Sequence, residues 1–316
     1  MTEGGEPTQR ILVLGTGMFG HYLHEVGEAS HLDLHFASRS PRPWKDFHVV
    51  DILDREGLRN VVKKIDPEVV INTAVYGNIA GCERDPDLAF RTNRDGQRNV
   101  ISVCNELGVK VVYISTNSVF CGKTGNYTEE HIPHPGTVYG RSKLSGEEAT
   151  KQGANDWAIF RITALFGDYP DQMDFVRKII HELSQGRDFQ CWDQIITPTY
   201  GPFVAQAILE LVDRGVEGIW HIGGIKSYPR HEIGKIIERD LREALGTGNQ
   251  GGIGDRTIGT IACIPTPHGL PLNRSFSVEK LKRELPELEF PDFVWTVKEI
   301  SRNIEDTYSH YTSSSS

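Results

Sequence analysis

Residues 11–20 read ILVLGTGMFG. Ile11 to Leu14 is an apolar run of strand length, and Gly15-Thr16-Gly17-Met18-Phe19-Gly20 follows it without a gap. A helical pattern opens at once. A GxGxxG run between a strand and a helix has a mechanical reading: the first glycine makes the tight turn, the second lets backbone approach a pyrophosphate, and the third packs helix on strand. The helix start then offers amides and a positive dipole end to the phosphates. The stretch predicts a dinucleotide site built from Gly15, Gly17, Met18, Phe19 and Gly20.

Working outward, strands are expected at 32–37, 48–50, 69–73, 110–115 and 157–161, with helices at 54–65, 87–107 and 137–152. Strands alternating with helices at this spacing imply crossover connections and a mostly parallel sheet. Strands as apolar as VVIN and KVVYIS fit a sheet covered on both faces. Past Arg161 the pattern loosens. Residues 166–175 read as loop, and helices are expected at 175–184, 201–213, 230–245, 278–284 and 294–308. The Gly-rich 246–258 reads as a connection, and the serine tail as disordered. The division expected is 1–165 for cofactor binding and 166–316 mainly for substrate, the latter interleaved with the sheet.

The end of the second strand reports on the cofactor. An acidic residue there would hold the ribose 2′-hydroxyl of NAD. Here Ser38, Arg39 and Ser40 stand instead, with Arg42 close by. A guanidinium with hydroxyl neighbours suits a 2′-phosphate, so NADPH is expected, with NADH the alternative. Asp51 and Ile52 are expected to flank the adenine.

Tyr139-Gly140-Arg141-Ser142-Lys143 carries the chemistry. Positions i and i+4 share a helix face, so Lys143 is expected to bring an ammonium toward the Tyr139 phenol and lower its pKa from about 10. Such a phenol can protonate a carbonyl oxygen as hydride reaches carbon. The preceding strand ends in Ser115-Thr116-Asn117-Ser118. Thr116 is the preferred hydroxyl for holding the substrate carbonyl, with Ser115 and Ser118 as competitors.

These segments together resemble the extended short-chain dehydrogenases, and within them the dTDP-4-dehydrorhamnose reductase family. The resemblance rests on the glycine loop, Asn72-Thr73-Ala74, Cys82-Glu83-Arg84-Asp85-Pro86 with Asn93, STNSVF (115–120), VYGRSKLSGE (138–147), DQIITPT (193–199) and GIWHIGG (218–224). It spans about residues 10–300. It implies an α/β fold: a Rossmann-type, doubly wound parallel sheet with a smaller C-terminal α/β substrate-binding domain. It also implies reduction of the 4-keto group of a nucleotide-linked 6-deoxysugar, with Thr116, Tyr139 and Lys143 catalytic. By the same resemblance Ala74, Val75, Tyr76, Ser115, Tyr139 and Lys143 line the cofactor, and Asn117, Ser118 and Arg161 meet the substrate. Some members are magnesium-bridged homodimers; their acids have no match here, so no metal is expected, while a homodimer remains in play.

The chain departs from that pattern where the family has STDYVF. Asn117 replaces an acid and Ser118 an aromatic, and Ala164 stands about where a tryptophan is common. These changes enlarge or re-aim the sugar pocket. Arg177, Lys178 and Arg274 are candidates to meet a nucleotide's phosphates, and Trp192 to stack on its base. Two other functions fit the resemblance: a nucleotide-sugar epimerase or dehydratase, and a non-catalytic NADP-binding subunit like the methionine adenosyltransferase β subunit.

Bulk properties narrow the classes. The 316 residues carry a net charge of −9, which opposes non-specific binding to nucleic acid or anionic membrane. No apolar run approaches the ~20 residues of a membrane span, and the first residues lack a signal-peptide pattern. Five scattered cysteines without a CxxC pair fit a reducing, cytoplasmic setting. His131 and His134 read as loop residues rather than ligands, and the absence of GxSxG removes a serine hydrolase of the α/β type.

Overall fold

Arg10–Leu14 forms β1, whose side chains alternate between two cores. Ile11 and Val13 face one and Leu12 and Leu14 the other, and all four are fully buried. Each contributes about 2 kcal/mol of burial. The computed structural model describes residues 9–169, 173–244, 258–267 and 271–302. Residues 1–8 of the expected lead-in, most of the Gly-rich connection, the serine tail and residues 303–308 of the closing helix lie outside them, and Arg10 belongs to β1 rather than to the lead-in.

After β1 come α1 (Met18–Gly27), β2 (Asp33–Ser38), β3 (Phe47–Val49), α2 (Arg55–Ile65) and β4 (Val69–Asn72). The helix α2 is bounded as its sequence dictates. Asp54 accepts from the Gly57 amide at 3.0 Å at its start, and Asp66 ends it in the left-handed region. The expected long helix at 87–107 is interrupted. Short helices α3 (Ile79–Arg84) and α4 (Pro86–Phe90) lead into a π turn at Arg91–Asp95, and only then does α5 (Gly96–Leu107) begin. Then follow β5 (Lys110–Thr116), α6 (Val138–Gly153) and β6 (Trp157–Ile162).

The second half opens with β7 (Leu165–Phe166), α7 (Phe175–Ser184), β8 (Phe189–Trp192), β9 (Ile195–Ile196) and β10 (Thr199–Tyr200). It continues with α8 (Gly201–Asp213), β11 (Gly218–Ile222), β12 (Tyr228–Pro229) and α9 (Arg230–Ala244). The described residues close with β13 (Ile261–Ile264), α10 (Glu279–Glu284) and α11 (Phe293–Arg302).

Seven parallel strands form the main sheet in the order β11-β6-β5-β4-β1-β2-β3. This is the α/β, doubly wound parallel arrangement expected. One face packs on α1 and α8 through residues such as Tyr22, Leu23, Val204 and Ile208. The other packs on α2 and α5 through Leu58, Val62, Val100 and Cys104. Both α8 and β11 come from beyond residue 166 yet belong to this layer. A separate core of Val176, Ile180, Ile233, Ile237 and Val297 joins α7, α9 and α11. No helix among the described residues is long and apolar enough to cross a membrane.

Candidate functional site

The sheet order reverses between β1 and β4, and a cleft opens at the carboxyl ends of both. Ligands of doubly wound sheets bind at such a switch point. The cleft encloses about 240 Å³. Gly15 turns the chain with φ +100°, and a Cβ there would stand 2.6 Å from the Ala74 nitrogen. Gly20 presses its α-carbon against the Gly15 carbonyl, leaving no room for a side chain. Gly17 differs: a Cβ there would meet nothing within 4 Å, and among the described residues no side chain caps the helix start it forms. The open approach and free first-turn amides fit a dinucleotide pyrophosphate.

Ser38, Arg39, Asp51, Ile52, Ala74 and Val75 all line this cleft. Arg39 is exposed and makes no hydrogen bond or ion pair among the described residues, while Ser38 is held by Thr16 at 2.9 Å. The Asp51 carboxylate accepts from the Leu53 amide at 2.9 Å, which fixes the loop edge. Met18 and Phe19 do not line the cleft; the Phe19 side chain lies in the core and Met18 packs against it. Tyr76 is not on the cleft wall. It packs with Cys82 and Tyr139 further along, its amide donating to Asn93 at 2.8 Å.

Beyond the cleft the end of β5 meets the start of α6. Thr137 caps α6, accepting from the Gly140 amide at 3.1 Å. Tyr139 then faces Thr116, which pulls the phenol's pKa down and whose hydroxyl oxygen accepts from the Ser118 amide at 3.1 Å. Burial pushes the Tyr139 phenol up to about 12, against the opposing pull of Thr116 and Arg274. Lys143 departs from expectation. Its ammonium donates to the Ile114 carbonyl at 2.7 Å and lies 4.0 Å from the centre of the Tyr113 ring. Burial lowers it to about 7, opposed by Glu147. The cation acting on the phenol is therefore Arg274, and the phenol is raised rather than lowered. Such a group stays protonated and can only serve as a proton donor at neutral pH.

Two expected contacts are corrected by burial. Ser115, Arg161 and His221 lie side by side across β5, β6 and β11. Glu147 of α6 covers them, accepting from the Ser115 hydroxyl at 2.6 Å and from Arg161 at 2.9 and 2.7 Å. Arg161 is 1% exposed and its third nitrogen meets His221 at 3.3 Å. Neither Ser115 nor Arg161 has surface left for a ligand.

The other wall is built by the second half. Arg274 donates to the Ser118 hydroxyl at 2.7 Å, and the Asn117 amide donates to the Arg274 carbonyl at 3.0 Å and to Thr163 at 2.7 Å. Arg230, unremarkable in sequence, stands beside it, with its guanidinium 5.9 Å from the Trp192 ring centre and 5.7 Å from that of Phe175. Gln194 joins the two segments, accepting from the Arg230 amide at 2.9 Å and donating to the Pro271 carbonyl. Burial lowers both guanidinium pKa values, and among the described residues neither makes an ion pair. Two half-buried cations with no counter-ion among those residues suit an anion. Of the other phosphate candidates, Arg177 is buried against Asp168 at 3.1 Å, and Lys178 points outward from α7. The signal for Arg230 lies in its placement between DQIITPT and a long amphipathic helix, which only the folded chain shows.

The π turn gives a role to Asn93, which the sequence marks only as part of the family pattern. Asn93 is buried and donates to Ser142 on α6 at 2.9 Å. It fixes the Tyr76 loop against the helix that carries Tyr139. Single-turn π bulges recur at functional sites.

Residues 9–288 match the model of the RmlD substrate binding domain. Among curated proteins, the chain is 31% identical over 246 residues to a probable low-salt glycan biosynthesis reductase, Agl14, of Haloferax volcanii, covering 75% of this chain and 78% of that one. It is 28% identical over 239 residues to methionine adenosyltransferase 2 subunit beta of Xenopus laevis, covering 72% and 70%. The fold superposes on a dTDP-4-dehydrorhamnose reductase of Bacillus anthracis in complex with NADP, with TM-score 0.78, 25% identity and coverage of 93% and 98%.

Proposed function

Because this chain belongs to the RmlD substrate binding domain family, we propose that it is an NADPH-dependent reductase of a keto group on a nucleotide-linked sugar. It is an NAD(P)-dependent oxidoreductase in which residues 1–165 mainly hold the cofactor and 166–316 mainly the substrate. What supports the reading is a cofactor-type cleft and a proton donor on the same sheet. The Gly17 cradle and Arg39 lie at the carboxyl end of β1 and β2, Thr116 ends β5 beside Tyr139, and Arg274 acts on that phenol with Arg230 next to it.

The nicotinamide, when bound, is the source of hydride. Thr116 hydrogen-bonds the substrate carbonyl oxygen and aligns it with the phenol. Tyr139 gives its proton to that oxygen as the carbon accepts hydride, so the ketone becomes an alcohol. Lys143 is anchored on the Ile114 carbonyl, and Arg274 supplies the positive charge beside the phenol as it gives up its proton. Arg230 and Arg274 take a diphosphate, with the Trp192 face available to a base. The small Ser118 makes space for Arg274 where an aromatic would fill it.

The test is direct. Purified protein with NADPH and a 4-keto-6-deoxysugar linked to dTDP, UDP, GDP or CDP should consume NADPH in proportion to sugar alcohol formed. No turnover across the four nucleotides would sink the reading. The relation to methionine adenosyltransferase 2 subunit beta keeps a binding role as the second reading. Recovery of a stoichiometric enzyme partner, with no turnover, would favour it. Tightly retained NAD⁺ would instead favour an epimerase or dehydratase.

A further inference from the structure

β8 and β13 run parallel, and their register sets Cys191 directly beside Cys263. The pairing is held on both sides. The Phe189 amide donates to the Thr260 carbonyl at 2.9 Å before the cysteines, and the Asp193 amide to the Ile264 carbonyl at 3.1 Å after them. Residues i and i+2 of a strand share a face, so Cys191 goes with Phe189 and Cys263 with Ile261. Cys191 and Ile261 are buried in the core of α7, α9 and α11, whereas Cys263 is exposed. Both thiols are free, and among the described residues no other two cysteines are strand partners. Neighbouring strands stand about 4.8 Å apart, within the range of about 4.4–6.8 Å that the α-carbons of a disulfide span. The thiols are near enough that Cys263 adds to the upward push of burial on Cys191.

The pair stands against the wall that holds Arg230 and Arg274. Trp192 follows Cys191 directly, and its ring centre lies 5.9 Å from the Arg230 guanidinium. Arg230 also acts on the Cys191 thiol, pulling against burial. Gln194, three residues past Cys191, accepts from the Arg230 amide at 2.9 Å and donates to the Pro271 carbonyl, and Pro271 leads to Arg274. Closing a disulfide brings the two β-carbons to about 3.8 Å. β8 has four residues, so a displacement of Cys191 passes to Trp192 instead of being spread along a strand. An exposed disulfide is also of the labile, regulatory kind rather than the structural one.

We propose that Cys191 and Cys263 are a redox modification site: a hydroperoxide oxidises them to an intramolecular disulfide, which draws the two side chains together and disturbs the wall of Trp192, Arg230 and Arg274. The exposed Cys263 reacts first. Its thiolate attacks a peroxide oxygen, an S–O bond forms and the O–O bond breaks. The departing hydroxide takes up the thiol's proton as the first water. The Cys191 sulfur then attacks the sulfenic sulfur, the S–S bond forms and the S–O bond breaks. The oxygen leaves with the Cys191 proton as the second water, so two thiols give two electrons to one hydrogen peroxide. A dithiol reverses the bond by exchange. The pair itself needs no reductase reading, whereas its effect on the wall rests on the nucleotide-binding part of that reading.

The experiment treats the reduced, full-length protein with hydrogen peroxide, alkylates the remaining thiols and maps tryptic peptides by mass spectrometry. Cleavage after Arg187 and Arg214 places Cys191 in residues 188–214, and cleavage after Arg256 and Arg274 places Cys263 in residues 257–274. The expected product is a cross-link between these two peptides, removed by dithiothreitol, with no covalent dimer on a non-reducing gel. In Cys191→Ser, Cys263 should instead be trapped by dimedone as its sulfenic acid. Wild type left with both thiols free, or with Cys263 as a sulfinic acid or bonded to another chain, overturns the proposal. Calorimetry with dTDP and UDP then reads the wall. Oxidation should weaken their binding by about tenfold, the worth of one charge-assisted hydrogen bond, and dithiothreitol should restore it, with NADPH binding unchanged. A cross-linked protein that binds both nucleotides as the reduced form does overturns the control of the wall. Reduced protein that binds neither nucleotide, yet forms the cross-link, fails the nucleotide-binding reading and upholds the redox pair.

Discussion

The Ser118 hydroxyl accepts a hydrogen bond from Arg274 at 2.7 Å, joining residues 156 apart in the chain. An aromatic side chain at 118 would occupy the space that the guanidinium uses. The substitution in STNSVF and the arginine in the late segment are thus one arrangement. It leaves a cation beside Tyr139 and Arg230 that makes no ion pair among the described residues.

Arg274→Met should therefore weaken substrate and spare cofactor. Losing a charge-assisted contact to a phosphate corresponds to about 2 kcal/mol, or roughly a thirtyfold rise in KM for the nucleotide sugar. The Kd of NADPH, read from its fluorescence, should stay within about twofold. A parallel loss of both would place Arg274 on the cofactor instead.

Tyr139→Phe removes the proton donor and should lower kcat by about 10² to 10⁴. NADPH affinity should be retained, since the phenol meets Thr116 rather than the cleft wall. Thr116→Val should cost less, because it aligns the carbonyl without supplying the proton. Single-turnover NADPH oxidation distinguishes these from an effect on binding. A fully active Tyr139→Phe removes Tyr139 from the mechanism.

Arg39→Ala tests cofactor choice. With no protein partner to release, Arg39 should contribute its charge wholly to a 2′-phosphate. Its loss should weaken NADPH by roughly tenfold or more, at about 1.5–3 kcal/mol for a charged hydrogen bond, and leave NADH unchanged. Equal effects on the two dinucleotides would mean that Arg39 does not read the phosphate.

Two glycines separate folding from binding. Gly17→Ala adds a methyl to open space, so its melting temperature should match wild type while NADPH binding falls steeply. Gly20→Ala drives a methyl into the Gly15 carbonyl and should lower the melting temperature by several degrees. Differential scanning calorimetry with and without NADPH reads both.

Lys143 makes stability depend on pH. Its folded value of about 7 lies below the 10.5 of a free lysine, so the unfolded chain binds more protons between the two. The penalty of burying the charge is fully present below about pH 7 and is relieved as pH rises toward the free value. Urea unfolding of wild type minus Lys143→Met should show a difference that grows in favour of wild type across that window. A flat difference would show that Lys143 is not buried as a titrating group.

How far the sequence speaks depends on how local the cause is. ILVL followed by GTGMFG specifies strand, turn and helix within ten residues, and the Asp54 and Thr137 caps do the same for α2 and α6. That Thr116 and Tyr139 come together was legible because one ends a strand and the other opens the next helix; that Lys143 turns to the Ile114 carbonyl was not. Arg230 was not, because its position depends on Gln194 and on a segment beginning at Pro271. The two-residue strands β9, β10 and β12 carry no periodicity; distant partners create them. The π turn escaped notice because Arg91–Asp95 satisfies helix periodicity on both sides. Arg177 misled because its partner Asp168 lies on a loop with no pattern of its own.

The last strand of the sheet has a consequence for how the protein is made. β6 leaves the ribosome with Trp157–Phe160 apolar and one edge unpaired, and its partner β11 arrives only at Gly218–Ile222. Until then an aggregation-prone edge is open during synthesis. A chain cut at the apparent boundary near residue 165 would keep that edge permanently, so the nucleotide half should not be soluble on its own. Extension through Ile222 should rescue it.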